Sequence, residues 1–192
     1  SSSNVSGLES TDLARITTLA ITGLQTAAIE QLSSVQVQGF TGTQIAQLSS
    51  LQIQALNTAA IAGLLSSQIQ ALTPSNIVGL SSKQVQALST LGLTGLQSAD
   101  LASIAPEAIA GFSAAAIERF SATLVQSLVS DQLTQFSSVQ VAAFTTANIK
   151  GLEATDLAAI STIAIQGLEA EDLQQLSSAQ LQGLTPVQVF AL

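Results

Sequence analysis

The sequence contains no cysteine, histidine, methionine, tryptophan or tyrosine, and aromatic residues make up only 3% of it. Without cysteine or histidine the chain has no disulfide framework, no zinc or other soft-metal site, and no nucleophile activated by histidine. We therefore expect no metal and no cofactor.

Charge is also scarce, because charged residues make up 8% of the chain and only four of them are basic. Four basic residues cannot neutralise many phosphates, so the net charge of −8 argues against nucleic acid and anionic membranes as partners. The N-terminal SSSNVSGL has neither a basic region nor an apolar core, and no signal peptide is visible. Every apolar run is short and broken by Ser, Thr or Gln, so we expect no membrane insertion.

What the chain does have is an eight-residue repeat. Its 192 residues divide into 24 octads without insertion or deletion, beginning SSSNVSGL, ESTDLARI, TTLAITGL. Position 5 is always Val, Ile or Leu, and position 8 is always Leu, Ile or Phe. We predict one continuous octapeptide-repeat solenoid over residues 1–192, and we expect it to be an excerpt of a longer array.

The first half of the octad indicates a helix start. Position 1 is Ser, Thr or Asn in 16 octads and position 4 is Gln, Asn or Asp in 16, which is the pattern of a capping box. All three prolines occupy position 2, the first helical position of such a box. One continuous helix is excluded, because at about 100° per residue the apolar stripe would drift by roughly 80° per octad. We predict an all-α repeat solenoid of one- to two-turn helices; the alternative is a β-solenoid, suggested by the V-Q-V-Q alternation at 35–38.

Glycine follows the same frame, since ten of the twelve glycines lie at position 7. A glycine there can end a short helix through a left-handed conformation, or it can allow close packing. Glycine at position 7 never occurs in two consecutive octads. A 16-residue structural repeat, with two short helices per superhelical step, would explain that alternation.

The octad assigns three structural roles. The predicted core, formed through hydrophobic staples between positions 8 and 5, includes Val37, Phe40, Ile45, Leu48, Ile53 and Leu56. The predicted helix caps include Ser33, Thr41, Ser49, Thr73 and Ser81. Large aliphatic residues at position 3 are predicted to be half exposed and are candidates for lateral contact between rods: Leu19, Val35, Leu51, Leu91, Val139, Ile163 and Val187.

The densest acidic cluster is E-A-E-D at 169–172, with Glu153 and Asp156 two octads earlier. Calcium would need six to eight oxygens converging from a loop, whereas these carboxylates lie at predicted helix starts. There they favour the helix dipole, so we interpret them as capping residues. A chain of near-identical units offers no unique constellation of catalytic groups, and we predict that it is not an enzyme.

The stretches LSSLQIQAL, LSSKQVQAL and LSSAQLQGL resemble the tandem L-[ST]-[ST]-x-Q-[IV]-x-[AG] repeats of very large secreted or surface-exposed bacterial proteins. The resemblance covers the whole chain and implies an extracellular, adhesin-like or filament-forming role. The departures from the pattern affect local caps only: Leu65, Val129 and Ala105 at position 1, and Gly92 and Leu124 at position 4.

These observations predict a structural repeat protein without catalytic activity, forming an extracellular or cell-surface rod, stalk or filament. The expected partner is the chain itself, through end-to-end or lateral assembly. The alternative is an adhesive binding module that presents a repeated Ser/Thr/Gln face to glycans, ice or another surface.

Overall fold

A computed structural model describes Val5 and residues 7–192, and all their regular structure is helical. None of these residues lies in a strand, so the all-α repeat solenoid is confirmed and the β-solenoid is not supported. The chain divides into two compact units, Ser1–Ala105 and Pro106–Leu192. Each octad from the second to the twenty-fourth contributes one short helix.

In the first unit the α-helices are Ser10–Leu13, Thr18–Thr22, Thr26–Ile29, Ser34–Val37, Gly42–Gln47, Ser50–Ala55, Thr58–Gly63, Ser66–Ile69, Pro74–Ile77, Ser82–Ala87 and Ser98–Ser103, with a 3₁₀ helix at Gly92–Gly95. In the second unit they are Pro106–Ile109, Ala114–Ile117, Ala122–Gln126, Ser130–Leu133, Ser138–Val141, Ala154–Ala159, Ala170–Gln175, Ser178–Gln182 and Pro186–Ala191, with 3₁₀ helices at Ile149–Gly151 and Ala164–Gly167.

Each helix is too short to be stable alone, because the first hydrogen-bonded turn is costly to form. Most follow an extended residue at position 1, such as Ser49 with φ −73° and ψ 163°. Many end when position 8 returns to the extended region, as Leu56 does with φ −61° and ψ 127°. The chain therefore changes direction once per octad, and packing between octads must hold the helices in place.

Packing partners lie three octads apart along the chain. Ser34–Val37 packs against Thr58–Gly63, and in the second unit Ser138–Val141 packs against Ala164–Gly167. Side-chain bonds connect residues 28 and 31 positions apart, so one turn of the solenoid takes between three and four octads. Odd- and even-numbered octads make the same bonds, so the structural step is one octad and not the 16-residue pair.

The core runs along positions 5 and 8. Its six predicted members, Val37 to Leu56, are all 4% exposed or less. Fully burying one such side chain stabilises the fold by about 1.5–3 kcal/mol. In the second unit Phe112 and Phe120 meet edge to face with ring centroids 5.2 Å apart, while Phe136 and Phe144 stack at 5.7 Å.

Most of the described glycines at position 7 serve close packing. No glycine among the described residues has a positive φ, so the left-handed helix stop does not apply here. Instead, a Cβ on Gly63 would lie 2.7 Å from the carbonyl oxygen of Ser34 on the neighbouring turn. The backbones approach too closely for any side chain at that point. The same close contact with the backbone of the preceding turn recurs at Gly39, Gly79, Gly95, Gly151, Gly167 and Gly183.

Candidate functional site

The hydroxyl groups at position 1 accept hydrogen bonds from the helix start. Ser33 Oγ accepts the Gln36 N–H at 3.2 Å, and Gln36 Oε1 accepts the Ser33 N–H at 2.9 Å, which completes the reciprocal capping box. Thr41, Ser49 and Ser81 cap their helices with the same pair of bonds. Each of these caps satisfies two backbone N–H groups that the helix itself leaves free.

Thr73 is an exception to the predicted caps. It occupies the N-cap position, yet its hydroxyl accepts no capping bond and its φ is −127°. Thr145 keeps its cap bond with an asparagine at position 4, and Thr185 keeps its bond although proline follows. Only Thr73 is followed by proline and also has the shorter asparagine at position 4. Proline restricts the residue before it to extended conformations, and at Thr73 the hydroxyl cap is lost.

The amide at position 4 has a second role that joins one turn to the next. Gln36 Nε2 donates to the carbonyl oxygens of Val5 and Leu8, both at 2.8 Å, in the octad four units earlier. Gln84 does the same to Ile53 at 2.8 Å and Leu56 at 2.7 Å. The same pair of donations to positions 5 and 8 recurs at Gln44, Gln52, Gln68, Gln140, Asn148 and Gln188.

Each such side chain therefore makes at least three hydrogen bonds, one within its own helix and two to the turn before. These amides are buried, with Gln44 and Gln68 only 2% exposed. A buried donor or acceptor left without a partner costs about 1–3 kcal/mol. The position-4 amides are therefore the principal polar connection between turns.

Octads whose cap deviates from the pattern use substitutes. In the eighth octad position 4 is Ala60, and Asn57 at position 1 both caps the Ala60 N–H and donates to the carbonyls of Glu30 and Leu32. Leu65 and Val129 cannot accept a bond at position 1, but their N–H groups still donate to Gln68 and Gln132. Half of the capping box is therefore enough to start these helices.

Three octads place a buried aspartate where the amide normally stands. Asp100 is 2% exposed, and Asp156 and Asp172 are each 6% exposed. Burial raises the pKa of Asp100. Burial also raises the pKa of Asp156, an effect that the charge of Glu153 adds to and the hydrogen bond from the Glu153 backbone N–H opposes. An ionised carboxylate has no proton to donate to the turn before.

We predict that Asp156→Asn stabilises the protein by roughly 1–2 kcal/mol, because the amide removes a buried charge and supplies the missing donor. The shorter asparagine is long enough, since Asn148 reaches the carbonyls of both Ile117 and Phe120. Urea denaturation at neutral pH measures the difference. The control is Asp131→Asn at an exposed position, which removes the same charge and is expected to stay within about 0.5 kcal/mol.

The gain from Asp156→Asn depends on pH in a defined direction. A carboxyl whose pKa is raised by folding stabilises the native state fully below its unfolded pKa of 3.8, and this contribution is lost as the pH rises through the folded value. The advantage of the asparagine variant should therefore be smallest at and below pH 3.8 and should grow as the pH rises towards neutral. An advantage that shrinks as the pH rises would contradict this assignment.

The remaining candidates are the acidic side chains and one open groove. Among the described residues, no group of three or more acidic side chains is placed to hold a metal ion. The Glu153, Asp156, Glu169 and Asp172 carboxylates lie at helix starts, where Asp156 and Asp172 accept N–H bonds at 2.8 and 3.1 Å. An open groove of about 580 Å³ is lined by residues such as Leu8, Gln31 and Val35. No described helix combines the length and apolarity that crossing a bilayer requires.

The aliphatic residues at position 3 are more exposed than the half-exposure that the sequence predicts. They range from 64% exposed at Val187 to 83% at Leu19. The same range covers Val35, Leu51, Leu91, Val139 and Ile163. Because water surrounds most of each side chain, these residues contribute little to the core and form an exposed apolar surface.

The sequence indicates the caps and suggests glutamine contacts between stacked octads at positions 4, 6 or 7, but it does not single out position 4 or its backbone partners. Position 4 is Gln or Asn, each with a neutral amide, in 12 octads. A cap alone would need only a hydrogen-bond acceptor, which a carboxylate also provides. The preference for an amide over a carboxylate was the available signal, since only the amide can accept and donate at once.

The chain matches no protein-family model and none of the curated proteins with which it was compared.

Proposed function

We propose that the chain is a structural protein without catalytic activity, serving as a segment of an extracellular rod, stalk or surface filament. The observation that carries this proposal is the bond pattern between turns. Octads in both units are tied to earlier octads by the same core contact and the same kind of buried amide. A fold of this kind can be lengthened octad by octad without a new type of interface.

The alternative, an adhesive module that binds glycans or ice through a repeated Ser/Thr/Gln face, has less support. The position-1 hydroxyls that would form such a face already accept bonds from their own helices. The position-4 amides are buried between turns. Activity of the chain on a glycan array or in an ice-recrystallisation assay would favour the alternative.

The spacer role is tested by changing the number of octads. We expect that duplicating residues 33–64 once and then twice raises the maximum dimension from small-angle X-ray scattering in equal steps of about 10 Å, the spacing of packed helices. Helical circular dichroism per residue should stay constant through the series. An insert of the same length and composition in scrambled order is the control, and it should break the equal steps. A maximum dimension that does not grow with added octads would contradict the spacer role.

A further inference from the structure

Position-3 residues in the second unit fall into three rows. Because helices three octads apart pack against each other, position-3 residues three octads apart are neighbours on the surface. One row holds Glu107, Asp131, Thr155 and Ala179, and another holds Thr123, Ala147 and Glu171. The third row is Ala115, Val139, Ile163 and Val187, which we call the apolar stripe.

The apolar stripe has no charged residue at position 3, and the exposed charges beside it, Glu118 and Arg119, lie one helical turn after Ala115 at its first end. It crosses the four packed helices Ala114–Ile117, Ser138–Val141, Ala164–Gly167 and Pro186–Ala191. At a spacing of about 8–10 Å between packed helices it extends roughly 25–30 Å. Phe190, 95% exposed, comes one helical turn after Val187 and so lies on the same helix face, which widens the stripe at one end.

Small residues flank the stripe and leave its aliphatic side chains raised above the surface. Position 7 follows position 3 by one helical turn, and it is Ala143, Gly167 and Ala191 in the three octads with large aliphatics. Val139, Ile163 and Val187 are 64–75% exposed. Together with Phe190 they offer on the order of 500 Å² of apolar surface, the size of the largest patch on a typical monomer, which is often functional.

We propose that the apolar stripe is a lateral interface at which two copies of this chain pack side by side. This rests on the proposed structural role and names its partner. A second copy presents side chains at the same helix spacing, so two stripes match along their whole length in a two-fold pair. The chain carries a net charge of −8, and positions 3, 6 and 7 are uncharged in the three octads of Val139, Ile163 and Val187, so copies approach there with the least repulsion.

The size of the surface sets the strength of the pair. Two stripes bury about 1,000 Å² in total, which is at the lower end for specific protein interfaces. We therefore expect a weak dimer with a dissociation constant on the order of 100 µM. Added salt should tighten it, since salt screens the repulsion between two acidic chains.

Sedimentation equilibrium between about 10 µM and about 1 mM tests the proposal, with Ile163→Glu as the disrupting variant. We expect at least tenfold weaker association, because each copy brings a charge into the centre of the interface. The matched control is Leu51→Glu, an aliphatic at the same octad position in the first unit, 66% exposed against 75% for Ile163. This control has the same net charge and should pair as strongly as the native chain does once about 0.5 M salt screens the added charge.

Three results would overturn the proposal: a native chain that stays monomeric throughout, association that Ile163→Glu leaves unchanged, or equal weakening by Leu51→Glu at high salt. Circular dichroism melting checks that Ile163→Glu is folded, and if it is not, Ile163→Gln replaces it under the same criteria. The scattering series that tests the spacer role is run on the monomeric variant. If the chain does not pair laterally, the spacer role can therefore still be tested on its own.

Discussion

Replacing Gln84 by glutamate is expected to destabilise the first unit by about 3 kcal/mol or more at neutral pH. Gln84 Oε1 accepts the Ser81 N–H at 2.9 Å, and glutamate can keep that bond. Its second oxygen, however, would face the carbonyl oxygens of Ile53 and Leu56 in place of the native Nε2 donor. A buried carboxylate would then meet two acceptors without a proton between them.

The control for Gln84→Glu lies in the same octad. Gln86 is exposed, so Gln86→Glu makes the same chemical change and adds the same charge without burying it. We expect that variant to stay within about 0.5 kcal/mol of the native chain in urea denaturation. Acidification should recover part of the Gln84→Glu loss, because a protonated carboxyl can donate to one carbonyl. Equal effects of the two substitutions would show that the position-4 amide does not connect the turns.

Replacing Gly63 by alanine is expected to cost about 3 kcal/mol, although alanine is the better helix former. The new Cβ would lie 2.7 Å from both the Cβ and the carbonyl oxygen of Ser34, and 2.8 Å from its Cα. These atoms belong largely to the backbone of a packed helix and cannot rotate away. The two turns would have to separate, which would loosen the core beneath them.

Replacing Gly23 by alanine should change the stability in the opposite direction. Gly23 occupies the same octad position but lies in the third octad, so these 192 residues contain no octad three before it, and a Cβ there would meet only the Ala20 carbonyl oxygen, at an ordinary 3.5 Å. Gly23→Ala should therefore stabilise the chain by up to about 1 kcal/mol through the lower entropy of the unfolded state. Thermal unfolding of both variants, compared with the native chain, measures the direction of each change in stability. If both variants were stabilised, glycine at position 7 would not be explained by close packing between turns.

The helical octad could be predicted because its signals are local. Capping pairs such as Ser33 with Gln36, and proline at position 2, involve residues within one helix. The number of octads per turn could not be predicted, because it depends on how helices on successive turns pack. The same limit explains why the predicted 16-residue repeat is wrong. The spacing of glycines suggests it, but odd and even octads make the same bonds to the turn before.

The exposed aliphatics show a similar division between local and long-range information. The sequence identified Ile163 and Val187 as candidates for lateral contact, but it could not group them. Only the packing of helices three octads apart places Val139, Ile163 and Val187 in one row of the second unit. Leu51 carries the same local pattern, yet Ala27 and Ser75 occupy position 3 in the octads three before and three after it, so it stands without large aliphatic neighbours in its row.

The packing of octads three apart is tested most directly by distances between spin labels on exposed position-3 residues. The chain has no cysteine, so two labels can be placed without background, in Thr155→Cys with Ala179→Cys and in Thr155→Cys with Glu171→Cys. The first pair lies on the packed helices Ala154–Ala159 and Ser178–Gln182, and we expect a separation below about 20 Å. The second pair is closer in sequence but about half a turn away, so its separation should be longer than the first. A second pair as close as the first would contradict a turn of between three and four octads, and with it the solenoid described here.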